Sequence, residues 1–194
     1  MVGPWQKETL AAGFVGTAAD GKRHANSAGT AVSPGDKQWA TSTTFKPQLT
    51  SFFNHPSGPG FKHVHVPPGE YVVYVRRGEV VADWKKVTLK AGGQAAVDLT
   101  VDPAKTGVVV LSVPEEEAKA AGSLALTPAE FDPSDAWFRS AFQAARLKAG
   151  EKAVTVRGVP AGKYHALLGK SEAEVEVTAG KTTAVTLVRA KAKG

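Results

Sequence analysis

Among the residues that could carry chemistry in this chain, the histidines come first. His63 and His65 stand two apart in a stretch that reads as a strand, so both side chains leave one face. With His55 or His24 brought near by the fold, their imidazoles could hold zinc or copper. The plainer account is a histidine pair on the solvent face of a strand entering the turn Pro67-Pro68-Gly69. His165 follows Tyr164 with no second histidine close in sequence. The chain has no cysteine, which removes thiolate zinc sites, cysteine nucleophiles and disulfide scaffolds together. Serine and histidine are present, but no Gly-x-Ser-x-Gly elbow positions a nucleophile. No glycine-rich phosphate loop occurs. Glu115-Glu116-Glu117 reads as the solvated start of a short helix, its acids at the positive end. The expectation is a protein that is not an enzyme and carries no cofactor.

The tryptophans are the second lead. Trp39 follows Gln38 in a Thr/Ser-rich stretch, and Trp84 lies between Asp83 and Lys85-Lys86. An exposed indole can stack on a pyranose ring, with Gln38 or Asn54 as hydrogen-bonding partners. Tryptophan is equally favoured in cores and at protein interfaces, and the sequence leaves these uses open. For a protein partner, the candidates are Arg76, Arg77 and Trp84, with Asn54 in the loop that runs to His63. Trp137 is expected to pack beneath its own helix.

Composition bounds what these residues can serve. The 194 residues are 42% hydrophobic with a net charge of +6, which excludes a disordered chain. No apolar run approaches the roughly 18–20 residues of a spanning helix. Residues 1–103 hold 11 basic and 8 acidic side chains, and residues 104–194 hold 13 and 10, so the excess is evenly spread. Nucleic-acid binders gather their charge on one face or arm, and no nucleic-acid partner is expected. Met1 to Ala19 makes a poor secretion signal, since its apolar stretch is short, broken by Gly13 and Gly16, and follows Glu8.

The elements that must position these residues are legible through an internal repeat. Val66-Pro67-Pro68-Gly69-Glu70-Tyr71 is matched by Val159-Pro160-Ala161-Gly162-Lys163-Tyr164, and an apolar run follows each. Downstream, Val87-Thr88-Leu89-Lys90-Ala91-Gly92 is matched by Val175-Glu176-Val177-Thr178-Ala179-Gly180. From Gly69 to Gly92 is 23 residues and from Gly162 to Gly180 is 18, so a longer hairpin is expected in the first copy. Alternation at Val87, Leu89, Val97, Leu99 and Val101 suits half-buried strands. The Ala-Gly pairs read as tight hairpin loops. Asp102 to Gly107 reads as a linker, which sets the domains at 1–103 and 104–194. Strands are expected at Leu10–Thr17, which turns at Asp20-Gly21, and at Val108–Leu111. The second half adds a helical insert at about 132–149, started by Asp132-Pro133-Ser134-Asp135. Its buried stripe is read as Trp137, Phe138, Ala141, Phe142 and Ala145.

This order of elements resembles the carboxypeptidase regulatory-like family of transthyretin-like (prealbumin-like) β-sandwiches. The pattern Pro-x-Gly-x-Tyr before a central strand carries the likeness, at Pro67 to Tyr71 and at Pro160 to Tyr164. The likeness covers about the last 40 residues of each half. It implies a mainly β chain of two tandem Greek-key β-sandwich domains, accessory and non-catalytic. It also implies a place in the cell envelope, in the periplasm or outside the cell. A related branch forms Lys–Asn or Lys–Asp crosslinks assisted by a glutamate four residues beyond the tyrosine. Val75 and Leu168 hold those positions here, so no crosslink is expected. The expected function is an interaction or assembly module that holds another protein, with polysaccharide as the alternative ligand and a histidine-based metal site as the third reading.

Overall fold

The computed structural model describes residues 9–31, 43–45, 48–50, 62–63 and 66–190, with side chains at 11–25 and 66–190. The chain is mainly β. It divides into two compact units, Met1–Gly78 with Ala82–Pro103, and Glu79–Val81 with Ala104–Gly194.

The first unit contains β1 (Thr9–Ala18), β2 (Arg23–Ala31), β3 (Thr43–Phe45), β4 (Gln48–Thr50), β5 (Lys62–His63), β6 (Gly69–Arg77), all but the first two residues of β7 (Val80–Leu89), β8 (Gln94–Ala96) and β9 (Leu99–Val101). Its main sheet has the order β2-β1-β6-β7. The second unit contains β10 (Thr106–Ser112), α1 (Glu115–Ala118), β11 (Gly122–Pro128), α2 (Ala136–Ala141), β12 (Gln143–Leu147), β13 (Ala153–Pro160), β14 (Gly162–Leu168), β15 (Ser171–Val177), β16 (Thr182–Thr186) and β17 (Val188–Arg189). Its sheets are β12-β11-β14-β15-β17 and β13-β10-β16.

The repeat is therefore one of sheet order as well as sequence. β2-β1-β6-β7 and β12-β11-β14-β15 are the same four strands in the same order. Residue pairing agrees, since Gly16 faces Tyr71 in one and Pro128 faces Tyr164 in the other. The five-residue difference lies in the hairpin arms. β6 and β7 have nine and ten residues, β14 and β15 seven each, and both turns have two.

The Pro-x-Gly-x-Tyr motif has a physical job in both units. The Tyr71 hydroxyl donates to the Pro67 carbonyl at 2.7 Å, and that of Tyr164 to Pro160 at 2.8 Å. Each tyrosine turns its ring into the core and reaches back four residues to pin the incoming turn, the logic of a tyrosine corner. Around Tyr71 the core of the first unit gathers Phe14, Val73, Val75, Leu89, Leu99 and Val101. Phe14 meets Tyr71 edge to face at 5.5 Å.

Burial raises the pKa of both hydroxyls, helped at Tyr71 by the charge of Asp20. A pKa higher in the folded chain means that the unfolded chain releases its proton first, near pH 10. The contribution is thus complete below about pH 10 and declines as the pH rises beyond it. Tyr164→Phe is expected to cost about 1–2 kcal/mol at pH 7 and to flatten the loss of stability between about pH 10 and 12. Denaturant melts at both pH values check this, and an unchanged alkaline slope would remove the corner from the account.

Two sequence expectations are corrected. The Ala-Gly pairs turn as expected, with φ of 66° at Gly92 and 72° at Gly180, but they are not hairpin loops. β15 and β16 lie in different sheets, as do β7 and β8. The turn carries the chain across to the other sheet, where β16 pairs in parallel with β10. The insert is also less helical than read from spacing. α2 ends at Ala141, and Gln143–Leu147 is a strand paired with β11. Pairing with β11 supplies the backbone partners that a continued helix would have supplied. Trp137 consequently does not pack beneath its helix and is 44% exposed.

Candidate functional site

The two units differ in the connection from β1 to β2 and its counterpart from β11 to β12. In the first unit the connection is a tight turn through Asp20-Gly21, closed by Ala18 N–H to the Lys22 carbonyl at 2.8 Å. The Asp20 carboxylate accepts from the Lys22 N–H at 3.0 Å, and this bond with the neighbouring Lys22 ammonium holds its pKa below the usual value. In the second unit the same connection is fourteen residues, 129–142, and it contains α2. A segment added at one loop of a repeated four-strand sheet is where a binding function can be placed without disturbing the core.

The insert is seated by aromatic packing. Phe131 stacks on Phe138 with ring centroids 4.7 Å apart and leans on Phe142 at 5.5 Å. Asp135 caps α2, its carboxylate accepting from the Trp137 N–H at 2.8 Å. The Asp132 carboxylate accepts from both the N–H and the hydroxyl of Ser134. α2 packs against β11, which explains a departure from alternation. Leu124 to Pro128 are all buried, so β11 is covered on both faces.

Beside the insert lies a cleft of about 310 Å³, with Ser123, Ala125, Arg139, Ser140, Gln143 and Leu167 among its walls. Arg139 and Ser140 come from α2, Gln143 from the start of β12, Ser123 and Ala125 from β11, and Leu167 from β14. Trp137 sits one residue beyond Ala136, which also lines the cleft, and one helical turn before Ser140. The cleft wall offers a guanidinium, two hydroxyls and an amide around a small apolar floor. That is recognition chemistry, able to hold a ligand by charge and hydrogen bonds.

Other groups that could carry chemistry are placed as follows. Thr127, His165 and Glu174 form one cross-strand row on β11, β14 and β15. Their types are those of a nucleophile, a base and an orienting acid. Thr127, however, is 0% exposed and its hydroxyl has no hydrogen-bond partner, so the row presents no nucleophile. Of the three consecutive acids in α1, Glu115 and Glu116 are exposed, as their reading as a solvated helix start has it, and Glu117 is half-buried. The Glu117 carboxylate accepts from the Lys170 N–H at 3.1 Å, and Glu116 pairs with Arg189 at 2.9 Å.

The residues singled out from the sequence do not meet at this cleft. Arg76 and Arg77 end β6, half-buried, and Trp84 is half-buried in β7. All three already interact within the chain. Arg76 lies beside Tyr74, whose hydroxyl is pushed to a higher pKa by burial and drawn back by that guanidinium. Asp83, next to Trp84, accepts from the Trp84 N–H at 2.8 Å and from the Thr100 N–H at 2.7 Å, tying β7 to β9. Asn54, Trp39, Gln38, His55 and His65 lie outside the described residues. His63 falls in β5, where the backbone alone is described. Among the described residues, no group of three or more His, Cys, Asp or Glu side chains is placed to hold a metal ion. No helix there is long and apolar enough to cross a membrane. Sequence reasoning missed Trp137 and Arg139 because it gave the tryptophan to the buried stripe. The available signal was the short spacing from Asp135 to Gly150, too little for a full helix and a return strand unless the helix ended early.

Compared with known proteins, the chain matches no family model, no curated protein and no solved structure.

Proposed function

We propose that this chain is a non-catalytic binding module, an accessory unit that holds a partner protein through the insert-bearing face of its second unit. One observation carries the reading. Trp137 is an indole 44% exposed on a helix inserted into a repeated scaffold, beside a cleft that holds Arg139. Tryptophan and arginine are the residues most enriched where binding energy concentrates, and such residues cluster beside pockets. Leaving an indole in water is unfavourable by itself, at roughly 25 cal/mol per Å² of apolar surface, and a partner that covers it recovers that term. The resemblance to carboxypeptidase regulatory-like domains supports the same reading, because it implies an accessory role and a place in the cell envelope.

The test uses the immobilised chain and fractions of its source. Trp137→Ala is expected to lower retention of a stoichiometric partner by at least about tenfold, the scale of a hot-spot residue. Arg76→Ala and Arg77→Ala are expected to leave retention unchanged. Retention that is indifferent to Trp137 would overturn the assignment. A second reading, carbohydrate binding, draws on the neutral hydrogen-bonding groups Ser123, Ser140 and Gln143 in the cleft wall. It moves the platform from Trp39 and Trp84 to Trp137, and it predicts retention on insoluble polysaccharide without any protein.

A further inference from the structure

A sheet edge is a row of backbone donors and acceptors that another strand can complete. In the second unit the strands at the sheet edges are β12, β13, β16 and β17, and β13 is the longest, with eight residues against five, five and two. Its ladder to β10 shows which of its groups stay open. The Val113 N–H donates to the Lys152 carbonyl, so Lys152 faces β10. Ser112 and Val108 turn their backbone the other way, the Ser112 carbonyl accepting from the Leu187 N–H and the Val108 N–H donating to the Lys181 carbonyl. Their register partners Ala153 and Arg157, with Thr155 between them, therefore turn their N–H and C=O groups away from β10. Those groups have no partner among the described residues. The side chains of all three are exposed, while Val154 is half-buried and Val156 buried. Glu151 and Lys152 are exposed where the chain enters the strand, and the Glu151 carboxylate accepts from the Lys148 N–H through one oxygen. Gly158, with φ of 72°, breaks the run, so the open edge is short and ends there.

We propose that the open edge of β13 pairs antiparallel with the same edge of a second copy of this chain, about a two-fold axis at Val154. This register sets Ala153 opposite Thr155 of the second copy, as a pair that exchanges both backbone hydrogen bonds. Val154 meets its own copy at the non-hydrogen-bonded position, where side chains approach most closely, and this extends the apolar layer of Val154 and Val156 across the join. The same register sets Glu151 opposite Arg157, twice by symmetry, and opposite charges at facing positions attract. Like charges fall apart. Lys152 and its copy lie four positions from one another, about 13 Å, and Arg157 and its copy six positions, about 20 Å, both beyond the screening length of about 8 Å. A shift of the register by two residues removes both ion pairs. Charge complementarity of the edge with itself is what selects a second copy over an unrelated strand. The pairing uses a surface apart from the insert and stands independently of the binding-module reading. It also places two insert-bearing faces in one particle, which raises avidity for a repeated ligand.

Sedimentation equilibrium of the full chain between about 1 µM and about 1 mM is expected to show the mass rise from 20.2 kDa toward twice that value. Thr155→Pro should hold the mass at 20.2 kDa, since proline removes an outward donor and blocks the edge without touching a bond to β10. Arg157→Glu should weaken the dimer about tenfold, by turning two attractions into repulsions, and adding Glu151→Arg in the same chain should restore it. This charge exchange decides the matter if the proline variant fails to fold. A wild type that stays at 20.2 kDa throughout would overturn the inference. So would a dimer indifferent to both Thr155→Pro and the charge reversal. A dimer lost in Trp137→Ala and kept in Thr155→Pro would overturn the edge pairing and make the second copy the partner of the insert-bearing face.

Discussion

Phe142→Ala is expected to lower the unfolding free energy by about 3–5 kcal/mol, the range for removing a buried aromatic ring. Phe142 is 2% exposed and joins α2 to β12, with its carbonyl accepting from the Leu126 N–H at 3.0 Å. Its ring packs on Phe131, which in turn holds Phe138. Truncation leaves a cavity between a short helix and a sheet, where neither side can close it. A six-residue helix has almost no stability of its own, because helices shorter than about 12 residues are marginal without packing. The loss should therefore fall on the insert before it reaches the two-sheet core. Amide exchange across 136–142 is expected to accelerate by more than a hundredfold, the factor that about 3 kcal/mol corresponds to. Trp137→Ala on the same helix is the contrast. Its side chain is exposed, so stability should move by no more than about 0.5 kcal/mol. Together the two variants separate the seat of the site from its contact surface. A Phe142→Ala protein with unchanged exchange at 136–142 would show that the aromatic packing does not hold the insert.

The elements that could be read from the sequence are those whose cause is local. The Pro-x-Gly-x-Tyr motif is visible because the tyrosine hydroxyl reaches only four residues back, to Pro67 or Pro160. The longer first hairpin is visible because strand length is counted along the chain. The destination of the strand after Gly92 or Gly180 is not local. A glycine with positive φ makes the same tight turn whether the next strand pairs with the last or crosses to another sheet. Alternation at Val97, Leu99 and Val101 gives the buried face and says nothing about the neighbour. The helix misread has the same origin. Trp137, Phe138, Ala141 and Phe142 do follow a helical period, but continuing it to Ala145 requires Gln143–Leu147 to decline pairing with β11. Tertiary pairing overrides a weak propensity. The cleft inherits that error. Trp137 and Arg139 take their position from where α2 stops and how Phe131 seats it, both of them long-range outcomes.

Gly107→Ala is expected to cost more than Gly180→Ala, the reverse of what turn chemistry alone predicts. Gly180 has φ of 72° and open space where a side chain would go, so alanine there pays the left-handed penalty of about 1–2 kcal/mol and nothing else. Gly107 has an ordinary backbone angle, and its constraint is crowding. A Cβ built there falls 2.7 Å from the Thr178 carbonyl oxygen, 2.9 Å from that of Lys181 and 2.9 Å from a methyl of Val177. Two of these are backbone atoms of the turn that crosses between the sheets, and that turn is stapled on both sides of Gly107. The Gly180 N–H donates to the Thr106 carbonyl at 2.9 Å, and the Val108 N–H to the Lys181 carbonyl at 2.9 Å. The register of β10 against β13 shifts at the same place, between Gly107 and Val108. A methyl group must therefore push the crossing turn away and weaken both staples. Overpacking of this kind costs about 1–3 kcal/mol, and each strained hydrogen bond adds about 1 kcal/mol. Gly107→Ala should then lose about 3–5 kcal/mol, and Gly107→Val should fail to reach the native fold. Denaturant melts of the two alanine variants decide the order. A larger loss at Gly180 would mean that the turn is held by its own conformation, and that β16 does not depend on the passage over Gly107 to find β10.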